Sequence, residues 1–70
     1  MDYRTSEVIE ILGFKVMETS HFRNGQVIKN HYDIRNKDGE IVSRNYEGIE
    51  EPIKLLRDLA NYLKTNSGQN

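Results

Sequence analysis

The sequence predicts a small two-layer α+β domain, a three-stranded antiparallel meander followed by one helix, and three observations carry that prediction. First, Arg23-Asn24-Gly25-Gln26-Val27-Ile28 recurs fourteen positions later as Lys37-Asp38-Gly39-Glu40-Ile41-Val42. Each copy reads basic, Asn or Asp, Gly, Gln or Glu, then two β-branched residues, which is a hairpin turn feeding a strand. Second, Ile49, Ile53, Leu56, Leu59 or Ala60, and Leu63 recur at three- and four-residue steps, the stripe of an amphipathic helix. Third, the chain has 70 residues, of which Val, Ile, Leu and Phe make up eighteen. That is enough apolar content for a core, in a chain long enough for one domain.

The elements follow in order. Residues 1–6 read as a lead-in, and residues 7–18 read in two ways. Leu12, Phe14 and Val16 alternate as in a strand, whereas Ser6 as cap and Gly13 as stop would frame a short helix. The β-branched Val8, Ile9 and Ile11 favour a strand over 8–20. At the first turn, a two-residue Asn24-Gly25 loop sets Ile34 against Lys15. A three-residue loop, Arg23-Asn24-Gly25, pairs Phe22 with Gln26 and sets Val16 opposite Tyr32 and Phe14 opposite Ile34. Only the second makes one apolar face, so it is the expected register. By the same test a three-residue Lys37-Asp38-Gly39 loop sets Ile34 against Val42 and Tyr32 against Arg44.

The strand order is then 1-2-3, with residues 26–36 central. One face carries Leu12, Phe14, Val16, Ile28, Tyr32, Ile34, Val42 and Tyr46 and is the expected core side. The other carries Lys15, Met17, Thr19, His21, Val27, Lys29, His31, Asp33, Arg35, Ile41, Ser43 and Asn45. Glu50 and Glu51 precede Pro52, which suits a first helical turn. The helix covers the apolar face, the domain spans 1–64, and residues 65–70 form an unstructured tail.

Composition narrows function mostly by exclusion. The chain has no cysteine, so it has no disulfide, thiolate metal site or Cys nucleophile. A secreted domain of this size is usually disulfide-rich, which points to the cytoplasm. The N-terminus shows no signal-peptide pattern, and no apolar run approaches a membrane span. His31, Asp33 and Ser43 share the wet face, but Ser43 is set opposite Asp33 rather than His31, so the order that nucleophilic catalysis needs is not met. His31-Tyr32-Asp33 with His21 echoes a metal-ligand spacing, yet an open sheet face offers no converging cage. Neither an enzyme, a metal site nor a cofactor is expected.

Binding is the remaining class. Ile9, Ile11, Val27 and Ile41 place apolar side chains on the nominally wet face, and the first strand is an open edge. Together they suggest contact with a protein partner or with a second copy of the chain as a homodimer. The role expected is that of a small bacterial or phage accessory protein. The alternative is nucleic-acid binding, with Lys15, Lys29 and Arg35 on the exposed face and Arg23 and Lys37 at the turns. This architecture is similar to the N-terminal arm domains of some phage-type integrases, without a shared motif. Charge weighs against that alternative: residues 1–46 hold seven basic and seven acidic side chains, and the whole chain has a net charge of -1.

Overall fold

A computed structural model describes the backbone of residues 2–67 and side chains through Thr65. The chain forms β1 (Asp2–Ile11), β2 (Phe14–Arg23), β3 (Gln26–Arg35), β4 (Ile41–Tyr46) and α1 (Glu50–Ser67), with the sheet in the order β1-β2-β3-β4. The α+β class, the antiparallel sheet and the C-terminal helix agree with the sequence reading. The strand count does not: the sheet has four strands, because the segment expected as one strand over 8–20 is broken at Leu12-Gly13. Residues read as a lead-in pair along β2, with Asp2 opposite Phe22 and Arg4 opposite Ser20.

The break is a two-residue hairpin turn. Leu12 and Gly13 have φ of 57° and 81°, both left-handed, as a type I′ turn demands. A leucine is poorly suited there, since its Cβ crowds the following carbonyl, and so the turn carries no clear mark in the sequence. Asn24 and Gly25 repeat the geometry at 52° and 77°.

The β2–β3 turn therefore has two residues, with Arg23 facing Gln26, and not the expected three. Ile28 is then an extra residue, because Phe22 faces Val27 while His21 faces Lys29. This bulge restores the parity that the short turn would break. Val16 lies opposite Ile34 and Glu18 opposite Tyr32. The observed pairing differs from the expected one by an even step, so Phe14, Val16, Tyr32 and Ile34 keep their face while their partners change.

The second loop does span Lys37-Asp38-Gly39: the Asn36 amide donates to the Glu40 carbonyl at 2.9 Å and the Gly39 amide to the Asn36 carbonyl at 3.0 Å. Beyond it β4 departs from the expected register. Two irregularities bring Ser43, rather than Val42, opposite Ile34, and Tyr46, rather than Arg44, opposite Tyr32. A further bulge at Val8 in β1, between Glu7 facing Met17 and Ile9 facing Val16, turns Ile9 and Ile11 onto the Val16 face. The same bulge interrupts an edge strand, one of the ways sheets blunt exposed edges.

The core is Val16, Ile34 and Leu56, ringed by Ile9, Ile11, Phe14, Tyr46, Ile49 and Ile53. Leu12, Ile28 and Val42, expected on the core side, are exposed. Each sits at a turn or an extra residue in a strand, where alternation stops predicting direction. Pro52 is buried in the first turn of α1, behind Glu50 and Glu51. The helix runs through Ser67, three residues into the segment read as a tail, and residues 68–70 lie outside the described residues.

Candidate functional site

The sheet face turned away from α1 holds a groove of about 360 Å³ that crosses all four strands. Strand alternation puts Tyr3 and Thr5 of β1, Thr19 and His21 of β2, and His31, Asp33 and Arg35 of β3 on this face. Register then brings them together: Tyr3 faces His21, Thr5 faces Thr19, and Thr19 faces His31. From β4, Ile41, Arg44 and Asn45 close the far side. An adjoining hollow of about 620 Å³ continues the groove past Lys29 toward Glu47.

The polar groups are largely satisfied within this face. Thr5 Oγ1 and Thr19 Oγ1 are 3.0 Å apart. His21 Nε2 and His31 Nδ1 are 3.2 Å apart, so one imidazole donates and the other accepts. The Tyr3 and His21 ring centres are 6.2 Å apart and those of His21 and His31 5.0 Å apart, giving a row of three tilted rings. Arg35 clasps Asp33 by two hydrogen bonds, of 2.9 and 3.2 Å. Those bonds hold the Arg35 guanidinium above its ordinary pKa, with burial opposing. Asp33 is only 4% exposed, and this pairing is what makes burying its carboxylate tolerable.

His31, Asp33 and Ser43 do not converge. Ser43 faces Ile34, on the helix side of the sheet, where its hydroxyl is hydrogen-bonded to that of Tyr46. This corrects its expected place beside His31 and Asp33. His31 is bonded to His21, and Asp33 to Arg35. Among the described residues no group of three or more His, Cys, Asp or Glu side chains is placed to hold a metal ion.

The candidate partner residues are divided between the two faces. Ile41 lines the groove opposite Arg35. Ile9 and Ile11 pack against the core beside α1, a correction of their expected face that follows from the bulge at Val8. Val27 sits opposite Phe22 near the β2–β3 turn, on the core side of the sheet but exposed. The candidate phosphate contacts are scattered as well. Lys15 is 3.6 Å from Glu7, and Arg35 is held by Asp33. Arg23 and Lys37 flank turns at opposite ends of β3, leaving Lys29 beside the groove.

Tyr3, Thr5 and Arg44 are groove residues that the sequence reading did not single out. The signal for the first two was the alternation Tyr3-x-Thr5-x-Glu7, followed by Leu12-Gly13 twelve positions ahead of Asn24-Gly25. Among the described residues no helix is long and apolar enough to cross a membrane. No protein-family model, no curated protein and no solved structure matches the chain.

Proposed function

We propose that this protein is a small non-catalytic binding module that receives an extended segment of a protein partner in the groove across its sheet. One observation carries the reading: the groove spans four strands, and its internally bonded floor of Thr5, Thr19, His21 and His31 is bordered by the exposed Tyr3, Ile41, Arg44 and Asn45. Such a border suits a polypeptide, which offers alternating donors and acceptors together with small apolar groups. The outer side of β1 lies next to this groove as an open edge, so a segment entering from that side has backbone as well as side chains to engage. The cysteine-free sequence supports action in the cytoplasm.

The test is affinity capture from host extract, with and without nuclease, using the native chain and an Arg44→Glu variant. Arg44 is exposed at the groove wall, so its reversal alters the site without opening the core. A protein captured after nuclease treatment, and lost from the variant, supports the reading. Capture unchanged by the variant moves the partner off this face.

A second reading is favoured by the row of Tyr3, His21 and His31 rings beside Lys29 and Arg44, since aromatic rings next to cations are how single-stranded nucleic acid is held. It requires affinity for an oligonucleotide that falls steeply with salt and a smaller salt slope for Lys29→Ala. Binding that is absent at low salt removes it.

A further inference from the structure

Helix α1 carries about twice the apolar arc that its own sheet covers. At about 100° per residue, Ile53, Leu56 and Ala60 lie on one flank of that arc and Leu55, Leu59 and Tyr62 on the other, with Leu63 between them. Lys54, Arg57, Asp58, Asn61 and Lys64 fill the opposite half. The first flank meets the sheet, and Leu56 there is 3% exposed. The second does not: Leu55 is 51%, Leu59 38%, Tyr62 63% and Leu63 46% exposed.

We propose that this second flank is the contact between two copies of the chain. The two α1 helices run antiparallel about a two-fold axis near Leu59, with Leu55 of each against Tyr62 and Leu63 of the other. The proposal goes beyond the groove reading and stands independently of it, since the helix lies on the other side of the sheet.

The exposed surface is large enough for a second copy to cover. The chain exposes 5419 Å², about a fifth more than the roughly 4,500 Å² expected for a monomer of its mass. That excess is close to the ~800 Å² that one side of a standard interface buries. The radius of gyration is 14.6 Å, against roughly 11 Å for a compact chain of this length. Leu55, Leu59, Tyr62 and Leu63 alone leave on the order of 400 Å² of apolar surface in water. The stems of Glu51, Lys54 and Asp58 border this patch and widen it.

Among the described residues the apolar cluster at the centre of the core is Val16, Ile34 and Leu56, with Tyr32 and Pro52 buried at its edges, which is thin for a free-standing domain. A second copy adds to that core wherever the concentration lets dimers populate. The spacing is also self-complementary. Leu55, Leu59 and Leu63 step by four and four about Leu59, a spacing that reversing the direction of one helix preserves, and Tyr62 lies beside Leu63 at the end of the row. Near the axis each Asp58 is paired with Lys54 of its own helix at 2.9 Å, so the two-fold axis does not bring bare carboxylates together.

The test uses the full chain. Light scattering after gel filtration should give about twice 8.2 kDa at micromolar concentration, and the melting temperature should rise with protein concentration. Leu59→Asp places two carboxylates at the axis and should raise the dimer dissociation constant by about a hundredfold or more. Because that variant could also unfold, Leu59→Cys supplies a second reading in a chain that has no other cysteine. Oxidation should link it into a folded dimer through a single symmetric disulfide. A mass of 8.2 kDa throughout, with a melting temperature independent of concentration, overturns the proposal. So does a dimer that survives Leu59→Asp and in which Leu59→Cys does not cross-link.

Discussion

Tyr32 donates its phenolic hydrogen to Glu18 Oε2 at 2.8 Å, and the two residues are direct partners across the β2–β3 ladder. The bond joins a buried ring on the central hairpin to a carboxylate at the border of the core. It raises the Tyr32 pKa above the ordinary 10.0, with burial and the Glu18 charge acting in the same direction. A raised value in the folded state means that folding favours the protonated phenol. The contribution is therefore complete below the unfolded pKa and is lost as pH rises through the folded one. Tyr32→Phe should cost about 1 kcal/mol at neutral pH. The difference between the two proteins should close as pH is taken well above 10.0. Urea unfolding of both at neutral and strongly alkaline pH measures this, and a gap that stays constant would show the bond to be idle.

Leu12 holds φ of 57°, a conformation that a side chain with a branched γ carbon adopts at a cost. The residue is half exposed, so little burial is lost by changing it. Leu12→Asn creates the same Asn-Gly pair that already serves at Asn24-Gly25, and it should stabilise the chain by about 1 kcal/mol. For a domain this small that corresponds to a rise of about 4–8 °C in melting temperature. The reciprocal change, Asn24→Leu, should lower it by a similar amount. Calorimetry on both variants checks the pair.

That leucine also explains which parts of the fold could be read from the sequence. Asn24-Gly25 and Asp38-Gly39 announce turns because their residue types tolerate positive φ; Leu12-Gly13 has only the glycine. A missed turn merged two strands into one, hid β1, and so concealed Tyr3 and Thr5 as groove residues. The helix was legible because its period is strong over many residues, and the core faces of Val16 and Ile34 because an even error in register preserves parity. The extra residues at Val8 and Ile28 and within β4 were not legible. A bulge answers to sheet twist and to the packing of a distant helix, and no local residue type marks it.

Asn36 organises the β3–β4 loop. Its Oδ1 accepts from the amides of Asp38 at 3.0 Å and Glu40 at 2.9 Å, and its Nδ2 donates to Glu40 Oε1 at 3.1 Å. The side chain thus substitutes for backbone partners that the loop lacks, as Asn does in tight turns generally. Asn36→Ala should cost about 1–2 kcal/mol. Asn36→Asp keeps both acceptor bonds but sets a carboxylate against Glu40 in place of the donor, so it should recover only part of that loss. Amide hydrogen exchange at Asp38 and Glu40 provides the local check: both amides should lose protection in the alanine variant and retain it in the aspartate variant.

Leu55 and Leu56 are neighbours in sequence with opposite surroundings, the first half in water and the second 3% exposed against Val16 and Ile34. Leu56→Ala truncates the helix's contribution to the cluster with Val16 and Ile34 and should cost about 2–5 kcal/mol. That is a large share of the roughly 4–10 kcal/mol expected for a domain of this size, so the variant should be unfolded or close to it at room temperature. The loss should be the same at every protein concentration, because the contact lies within one chain. Leu55→Ala should behave differently. If α1 is the seam between two copies, its cost appears only where dimers populate, so its melting temperature should match the native chain at high dilution and fall below it as concentration rises. Melting curves for both variants across a dilution series separate the two roles of one helix, and identical concentration dependence for the pair would place Leu55 outside any interface.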